Sequence, residues 1–317
     1  AVAVQLAYRE QFDIIHSHDW LTYPAGVIVK HITHKPLVIH VHATDFDRSR
    51  GQVNPTVYAI ERRGMDEANH IICVSELTRR TVIEKYGQHP DKVSTVHNAV
   101  EPLAHPEEFV KHSRKDKLVT FLGRITMQKG PEYFIEAAYK VLQRVKNVRF
   151  VMAGNGDMYK RMILMAAKLG ISDRFHFTDF LKHDEVKHLF AVSDVYVMPS
   201  VSEPFGISPL EAVKSNVPVI ISKQSGVAEI LKHAIKVDYW DVDAIADAIY
   251  GLIKYPALSN FFVRKGKNEV KQLKEDLEKA LAAKKEIIAQ KGKDKSSMSF
   301  PTATGLSFAN LISKLKR

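Results

Sequence analysis

Arg124 and Lys129 stand five residues apart in Gly123-Arg124-Ile125-Thr126-Met127-Gln128-Lys129-Gly130, between an apolar run and the start of a helical pattern. An arginine fork and a compact ammonium on such a loop can clamp a diphosphate, each charge-assisted contact contributing about 1.5–3 kcal/mol. By itself the pair is equally two solvated cations on a turn. A second loop, Ala153-Gly154-Asn155-Gly156-Asp157, carries Gly154 and Gly156, which let backbone come close to a ligand but also suit an ordinary turn. It lacks the third glycine of the dinucleotide fingerprint and does not open the first βα unit, which disfavours a nicotinamide dehydrogenase.

The third segment is Glu203-Pro204-Phe205-Gly206-Ile207-Ser208-Pro209-Leu210-Glu211. Its local reading is a helix start: Ser208 as the cap, Pro209 at the first helical position and Glu211 closing a capping box. The same geometry points the backbone N–H groups of Ile207 and Ser208 out of a helix N-terminus, where a phosphate is stabilised. Glu203 precedes the helix in a loop where no local rule requires a carboxylate, and it reads either as a ligand-facing group or as a solvated acid. A fourth loop, residues 222–226, leads into a short helix expected over 227–231 that includes Glu229, and is taken as a rim element.

Nearer the N-terminus, His16-x-His18-Asp19 and His40-x-His42, with Asp45 and Asp47 close behind, place two histidines on one face of each of two strands. Histidines so placed can share a metal. A metal-dependent hydrolase is therefore one rival reading.

These residues need strand ends and helix starts to hold them. Short apolar runs at 13–18, 36–42, 70–74 and 93–96 read as strands with helical patterns between them. A second series follows at 118–122, 148–153, 174–178, 194–198, 217–222 and 234–237. Strands so continuously apolar and so regularly separated by helices imply parallel sheets covered on both faces. The apolar spacing over 133–145 predicts a helix opening directly after the Arg124 and Lys129 loop. Residues 98–117, with two prolines and no period, read as a linker. The expected organisation is a partial first Rossmann-like domain over 1–100, a linker over 101–117, a second domain over 118–256 and a basic helical tail over 257–317. The first domain offers four strands against six in the second, which suggests that strands upstream of residue 1 are missing. In the tail, Val270, Leu273, Leu277, Leu281 and Ile288 share roughly one helix face; a Ser/Thr-rich stretch at 296–304 follows, then a short amphipathic helix over 306–315.

A length of 317 residues suits two domains, and a composition of 45% hydrophobic and 26% charged residues is that of a globular protein. No apolar run approaches the roughly 20 residues of a membrane-spanning helix. The single Cys73 sits in an apolar run, so it reads as a buried structural thiol in a reducing cytoplasm. The net charge of +10 is concentrated late: residues 264–317 carry 14 Lys and Arg against 6 Asp and Glu. No aromatic residues interleave with these cations as in a nucleic-acid motif, so nucleic acid is not an expected partner. The basic tail reads as packing within the chain with one solvated face, in preference to peripheral contact with an anionic membrane.

Taken together and in this order, Arg124-x4-Lys129, Gly154-Asn155-Gly156 and Glu203-x7-Glu211 resemble the glycosyl transferases group 1, the large family that includes bacterial glycogen synthases and sucrose synthases. The resemblance runs from about Phe12 to about Leu273. It implies a GT-B-type α/β fold of two doubly wound Rossmann-like domains facing a crevice, with the first domain incomplete. It assigns Arg124 and Lys129 to the donor diphosphate, the Ile207 and Ser208 amides after Phe205 and Gly206 to the distal phosphate, Glu211 to the ribose hydroxyls and Glu203 to the donor sugar. His16-Ser17-His18-Asp19-Trp20 looks like the His-Asp-Trp segment of glycogen synthases, which brings in Asp19. His42 is similar to the strand-end histidine that reaches the sugar, while His16 and His40 read as supporting groups.

The resemblance implies a retaining transferase that moves a sugar, expected to be glucosyl, from a nucleoside-diphosphate sugar to an acceptor hydroxyl such as that of an α-glucan. The nucleotide-sugar is a substrate, and neither metal nor cofactor is expected. No glycine-rich loop precedes Phe12, where the family carries one, and residues 274–290 lack the aromatic anchor often found in its last helix. A non-catalytic or truncated nucleotide-sugar-binding protein is accordingly the alternative.

Overall fold

A computed structural model of the protein describes residues 2–100 and 115–291. The expected elements over 296–304 and 306–315, and most of the expected linker, lie outside the described residues. The chain divides into two compact units, one of residues 1–45, 53–98 and 272–317 and the other of residues 46–52 and 99–271. This partition departs from the expected one in two places. The tail is shared out between the units, and a seven-residue segment, Phe46–Gln52, groups with the second unit although both its flanks belong to the first.

The first unit and its flanking segment contain α1 (Val2–Arg9), β1 (Ile15–His18), α2 (Tyr23–Thr33), β2 (Leu37–Val41), α3 (Asp45–Arg48), α4 (Pro55–Glu67), β3 (His70–Cys73), α5 (Glu76–Tyr86) and β4 (Val93–Thr95). The four strands form one parallel sheet in the order β1-β2-β3-β4. Leu37, Ile39, Ile71, Ile72 and Cys73 are fully buried in it, as near-continuous apolar strands require when helices cover them. Local signals set the helix limits. Asn54 accepts from the backbone N–H groups of Thr56 and Val57 ahead of Pro55, and Ser75 caps α5 through Thr78 N–H at 3.0 Å. Such caps contribute about 1 kcal/mol each. Burial pushes the Cys73 thiol pKa up, the behaviour of a structural thiol.

The second unit contains β5 (Lys117–Leu122), α6 (Pro131–Arg144), β6 (Val148–Ala153), α7 (Tyr159–Lys168), β7 (Phe175–Thr178), α8 (His183–Val192), β8 (Val195–Met198), α9 (Ser208–Lys214), β9 (Val219–Ser222), β10 (Ile235–Val237) and α10 (Val242–Lys254). A final helix, α11 (Pro256–Lys291), has its residues to Lys271 in this unit. The six strands are parallel in the order β10-β9-β8-β5-β6-β7. The chain therefore starts in the middle of the sheet, winds outward to β7, then returns to the other side of β5 with β8. This is the doubly wound Rossmann order, and its reversal point lies between β5 and β8.

Helix α6 carries much of the core. Phe134, Ile135, Ala138 and Val141 recur at helical spacing and are essentially buried, against Phe150 of β6 and the facing surface of α10. Burying Phe134 completely contributes about 1.5–3 kcal/mol. Among the described residues no helix is long and apolar enough to cross a membrane.

Candidate functional site

In an open parallel sheet, ligands bind beyond the carboxyl ends of the strands at the reversal point, because the loops there diverge and leave a crevice. In the second unit these are the loops after β5 and β8, which carry Arg124 with Lys129 and Glu203 with Glu211 respectively. The topology thus brings together residues that the sequence separates by some 80 positions.

The two loops are joined. Lys129 Nζ is paired with the Glu203 carboxylate, which also accepts from Ser200 Oγ at 3.4 Å. Glu203 is only 7% exposed. Its backbone extends the sheet locally: its N–H donates to the Gln224 carbonyl at 3.0 Å, and its carbonyl accepts from Gly226 N–H at 2.9 Å. The solvated-acid reading of Glu203 is therefore wrong, because this short pairing pulls the loop inward and leaves Lys129 as the counter-charge.

Gln128, which the sequence reading passed over, fastens the loops a second time. Its Nε2 donates to the Ser202 carbonyl at 3.1 Å, and its Oε1 accepts from Arg124 Nη2 at 3.0 Å. Its backbone carbonyl accepts from Val201 N–H at 2.9 Å. The signal for it was its place between the two cations. The segment Phe46–Gln52 adds a third tie. Arg50 donates to the Met127 carbonyl at 2.7 Å and pairs with Glu132 at 2.8 Å, while Asp47 accepts from Ser202 Oγ at 2.6 Å.

The helix start at Ser208 differs from its expected form. Ile207, in right-handed helical conformation, occupies the capping position, and no side chain caps α9. The Ser208 hydroxyl is engaged by a tertiary partner, the Tyr196 hydroxyl of β8, at 2.7 Å. Tyr196 donates onward to the Leu122 carbonyl at 3.1 Å, so Ser208 is the donor in the first of these bonds. The capping box is thus not formed, and Glu211 has no part in closing the helix. Its carboxyl is half-buried, and burial raises its pKa, with His183 and Lys214 opposing the shift. Phe205 is buried at 2% exposure, and its carbonyl accepts from Val227 N–H at 2.7 Å. It shapes the loop from inside. Gly206 follows with φ of 92°, a conformation that favours glycine. The expected helix at 227–231 is a 3-10 turn over Gly226–Glu229.

Gly154 and Gly156 make their close approach to protein. A Cβ on Gly154 would lie 2.0 Å from the Gly123 carbonyl oxygen, and one on Gly156 would lie 2.3 Å from that of Ile125. The loops after β5 and β6 are zipped by Gly123 N–H to Ala153 O, Ile125 N–H to Asn155 O and Met158 N–H to Ile125 O, all 2.9–3.0 Å. The glycine pair sets the position of the Arg124 loop.

In the first unit, β1 and β2 run in parallel with His18 in register with His40. Residues two apart on a strand share a face, so His16, His18, His40 and His42 form one cluster of rings, with successive centroids 4.2–5.1 Å apart. His18 Nδ1 lies 2.9 Å from His42 Nε2. Burial, then the other imidazoles, lower the His40 pKa to about 3, and burial with His42 lowers that of His18. Asp19 has φ of 56°, and its Oδ1 accepts from the backbone N–H groups of His42 at 2.9 Å and Ala43 at 3.3 Å. Asp19 thereby fixes the backbone that presents His42.

Comparison with known proteins agrees with this architecture. Residues 105–286 match the family described as glycosyl transferases group 1, and residues 2–102 match that described as glycosyltransferase family 4. An uncharacterized glycosyltransferase of Methanocaldococcus jannaschii is 32% identical over 82% of this chain and 71% of its own length. The glycogen synthase of Mycobacterium tuberculosis is 25% identical over 77% of this chain, which spans 61% of that protein's length. Among solved structures, Anabaena HepE in complex with UDP and glucose shares the fold, with a TM-score of 0.75 and 18% identity over 89% of this chain and 81% of its own.

Proposed function

Because the chain belongs to the glycosyl transferases group 1 family, we propose that it transfers a glucosyl group, with retention of configuration, from a nucleoside-diphosphate glucose to an acceptor hydroxyl of an α-glucan. The observation that carries this reading is the Lys129 and Glu203 pair at the reversal point, with Arg124 on the same loop. A cation already opposed to a buried carboxylate can turn to a diphosphate without either group being left unpaired in the apo form.

Arg124 and Lys129 hold the diphosphate, aided by the Ile207 and Ser208 amides. Glu211, free of capping duty, accepts from the ribose hydroxyls. The family resemblance assigns Glu203 to the donor sugar, and it assigns His42 likewise, with Asp19 fixing the His42 backbone. In the reaction the bond between the anomeric carbon and the diphosphate oxygen breaks with its electron pair going to the phosphate. The acceptor oxygen bonds to the same face of that carbon, and its proton passes to the departing phosphate oxygen. Fixed positive groups stabilise the charge that develops on the leaving group, so the step runs without a metal.

The test is incubation of the full chain with UDP-, ADP- or GDP-glucose and a short α-glucan, with the product's anomeric configuration read by NMR. Release of nucleoside diphosphate with a new α-linkage is expected. A β-linkage would overturn retention, and donor binding with no transfer to any acceptor would leave a nucleotide-sugar-binding protein.

A further inference from the structure

The four-histidine cluster does more than the sugar-transfer reading asks of it, which uses His42 alone. One ring nitrogen from each of His16, His18 and His40 lies within 4.8 Å of the other two. Metal–nitrogen bonds of about 2.0–2.1 Å place tetrahedral ligand atoms about 3.4 Å apart, so a small rotation of each ring suffices to close the set. The rings come from alternate residues of β1 and from the β2 residue opposite His18, so the parallel ladder already holds them on one face.

Two features favour a cation over simple ring stacking. The Nε2 atom of His40 is buried with no hydrogen-bond partner among the described residues, which is costly for a buried polar atom. A cation that accepts its lone pair would satisfy it. The second feature is the 2.9 Å bond between His18 Nδ1 and His42 Nε2. When His18 is the donor there, its Nε2 carries the free lone pair, which is how a metal-binding histidine is oriented by the partner of its other nitrogen.

We propose that His16, His18 and His40 form a binding site for a divalent transition-metal cation of the zinc, cobalt and nickel class, oriented by His42. Imidazole ligands suit these ions, and hard cations such as magnesium or calcium prefer oxygen. The cation ties β1 to β2 at their carboxyl ends. The site stands on the three imidazoles and not on the identity of the donor or acceptor.

The experiment titrates ZnCl2 into the full chain stripped of metal, by calorimetry and by thermal unfolding, with MgCl2 as the comparison ion. Binding of one zinc per chain is expected, with a rise in unfolding temperature and no response to magnesium. The exposed His18 replaced in His18→Asn, and His40→Asn, should each weaken zinc binding at least tenfold, whereas His176→Ala in the other unit should leave it unchanged. Should His40→Asn fail to fold, His18→Asn together with the visible spectrum of the cobalt form decides the matter. No stoichiometric zinc binding, or binding undiminished in His18→Asn, would overturn the proposal. Both readouts are independent of sugar transfer, so the metal site and the proposed activity fail separately.

Discussion

Lys129 and Glu203, 74 residues apart in sequence, form an ion pair in which the carboxylate side chain is 9% exposed and the ammonium side chain 20%. Neither loop explains the other locally. The pair exists because the doubly wound order sets β5 beside β8, so that the loops leaving them meet. Removing one partner of such a pair leaves the other as a poorly solvated charge, and that cost exceeds the net worth of the pair.

Lys129→Ala should therefore lower stability by about 3 kcal/mol in urea unfolding, whereas the double variant Lys129→Ala with Glu203→Gln should lose markedly less than the sum of the singles. Additive losses would show that Glu203 does not depend on Lys129.

Glu211 should trade stability against binding. Burial raises its pKa, so its favourable contribution is complete below the ordinary carboxylate range and is lost as pH rises through the elevated folded value. At neutral pH the ionised group is a burden, and Glu211→Gln should raise the unfolding temperature of the ligand-free protein. That advantage should vanish below about pH 4, where both side chains are neutral. The same variant should weaken nucleoside-diphosphate binding roughly tenfold through loss of one charge-assisted hydrogen bond. Lower stability at neutral pH with unchanged affinity would remove Glu211 from the site.

Gly154→Ala should damage the Arg124 loop, because its Cβ would overlap the Gly123 carbonyl at 2.0 Å and the residue has φ of 130°. Gly170 provides the comparison: its φ is 69°, yet nothing lies within 4 Å of an added Cβ. Gly170→Ala should cost about 1 kcal/mol of backbone strain. Gly154→Ala should cost several times as much and abolish donor binding. Equal losses would mean that the approach of the two loops carries no weight.

Much of the fold was legible because its strands are short apolar runs with little competing pattern: the spans 148–153 and 70–74 fall on β6 and β3 to within a residue. The candidate site was legible as an ordered set of strand-end loops. What escaped was whatever depends on a partner far along the chain. Ser208 has every local feature of a cap, but the Tyr196 hydroxyl claims it. Glu203 has no local reason to be buried, and its burial follows from pairing with the segment around Ser225. Gly154 and Gly156 suited either a ligand or an ordinary turn from sequence, and the close neighbour is the loop after β5. Nothing in residues 46–52 announces that Arg50 will reach Met127 and Glu132.

We infer donor binding by the loops after β5 and β8, through Arg124 and Lys129. Its most direct test is thermal unfolding of wild type, Arg124→Ala and Lys129→Ala with UDP-, ADP- and GDP-sugars. A donor at 100 times its dissociation constant should stabilise the wild type by about 2.7 kcal/mol, a shift of about 4 °C for a chain of this length. Arg124 is exposed, so Arg124→Ala should unfold near the wild-type temperature without ligand yet lose most of the shift, as should Lys129→Ala from its lower starting point. No shift with any donor, or a full shift in both variants, would contradict the account.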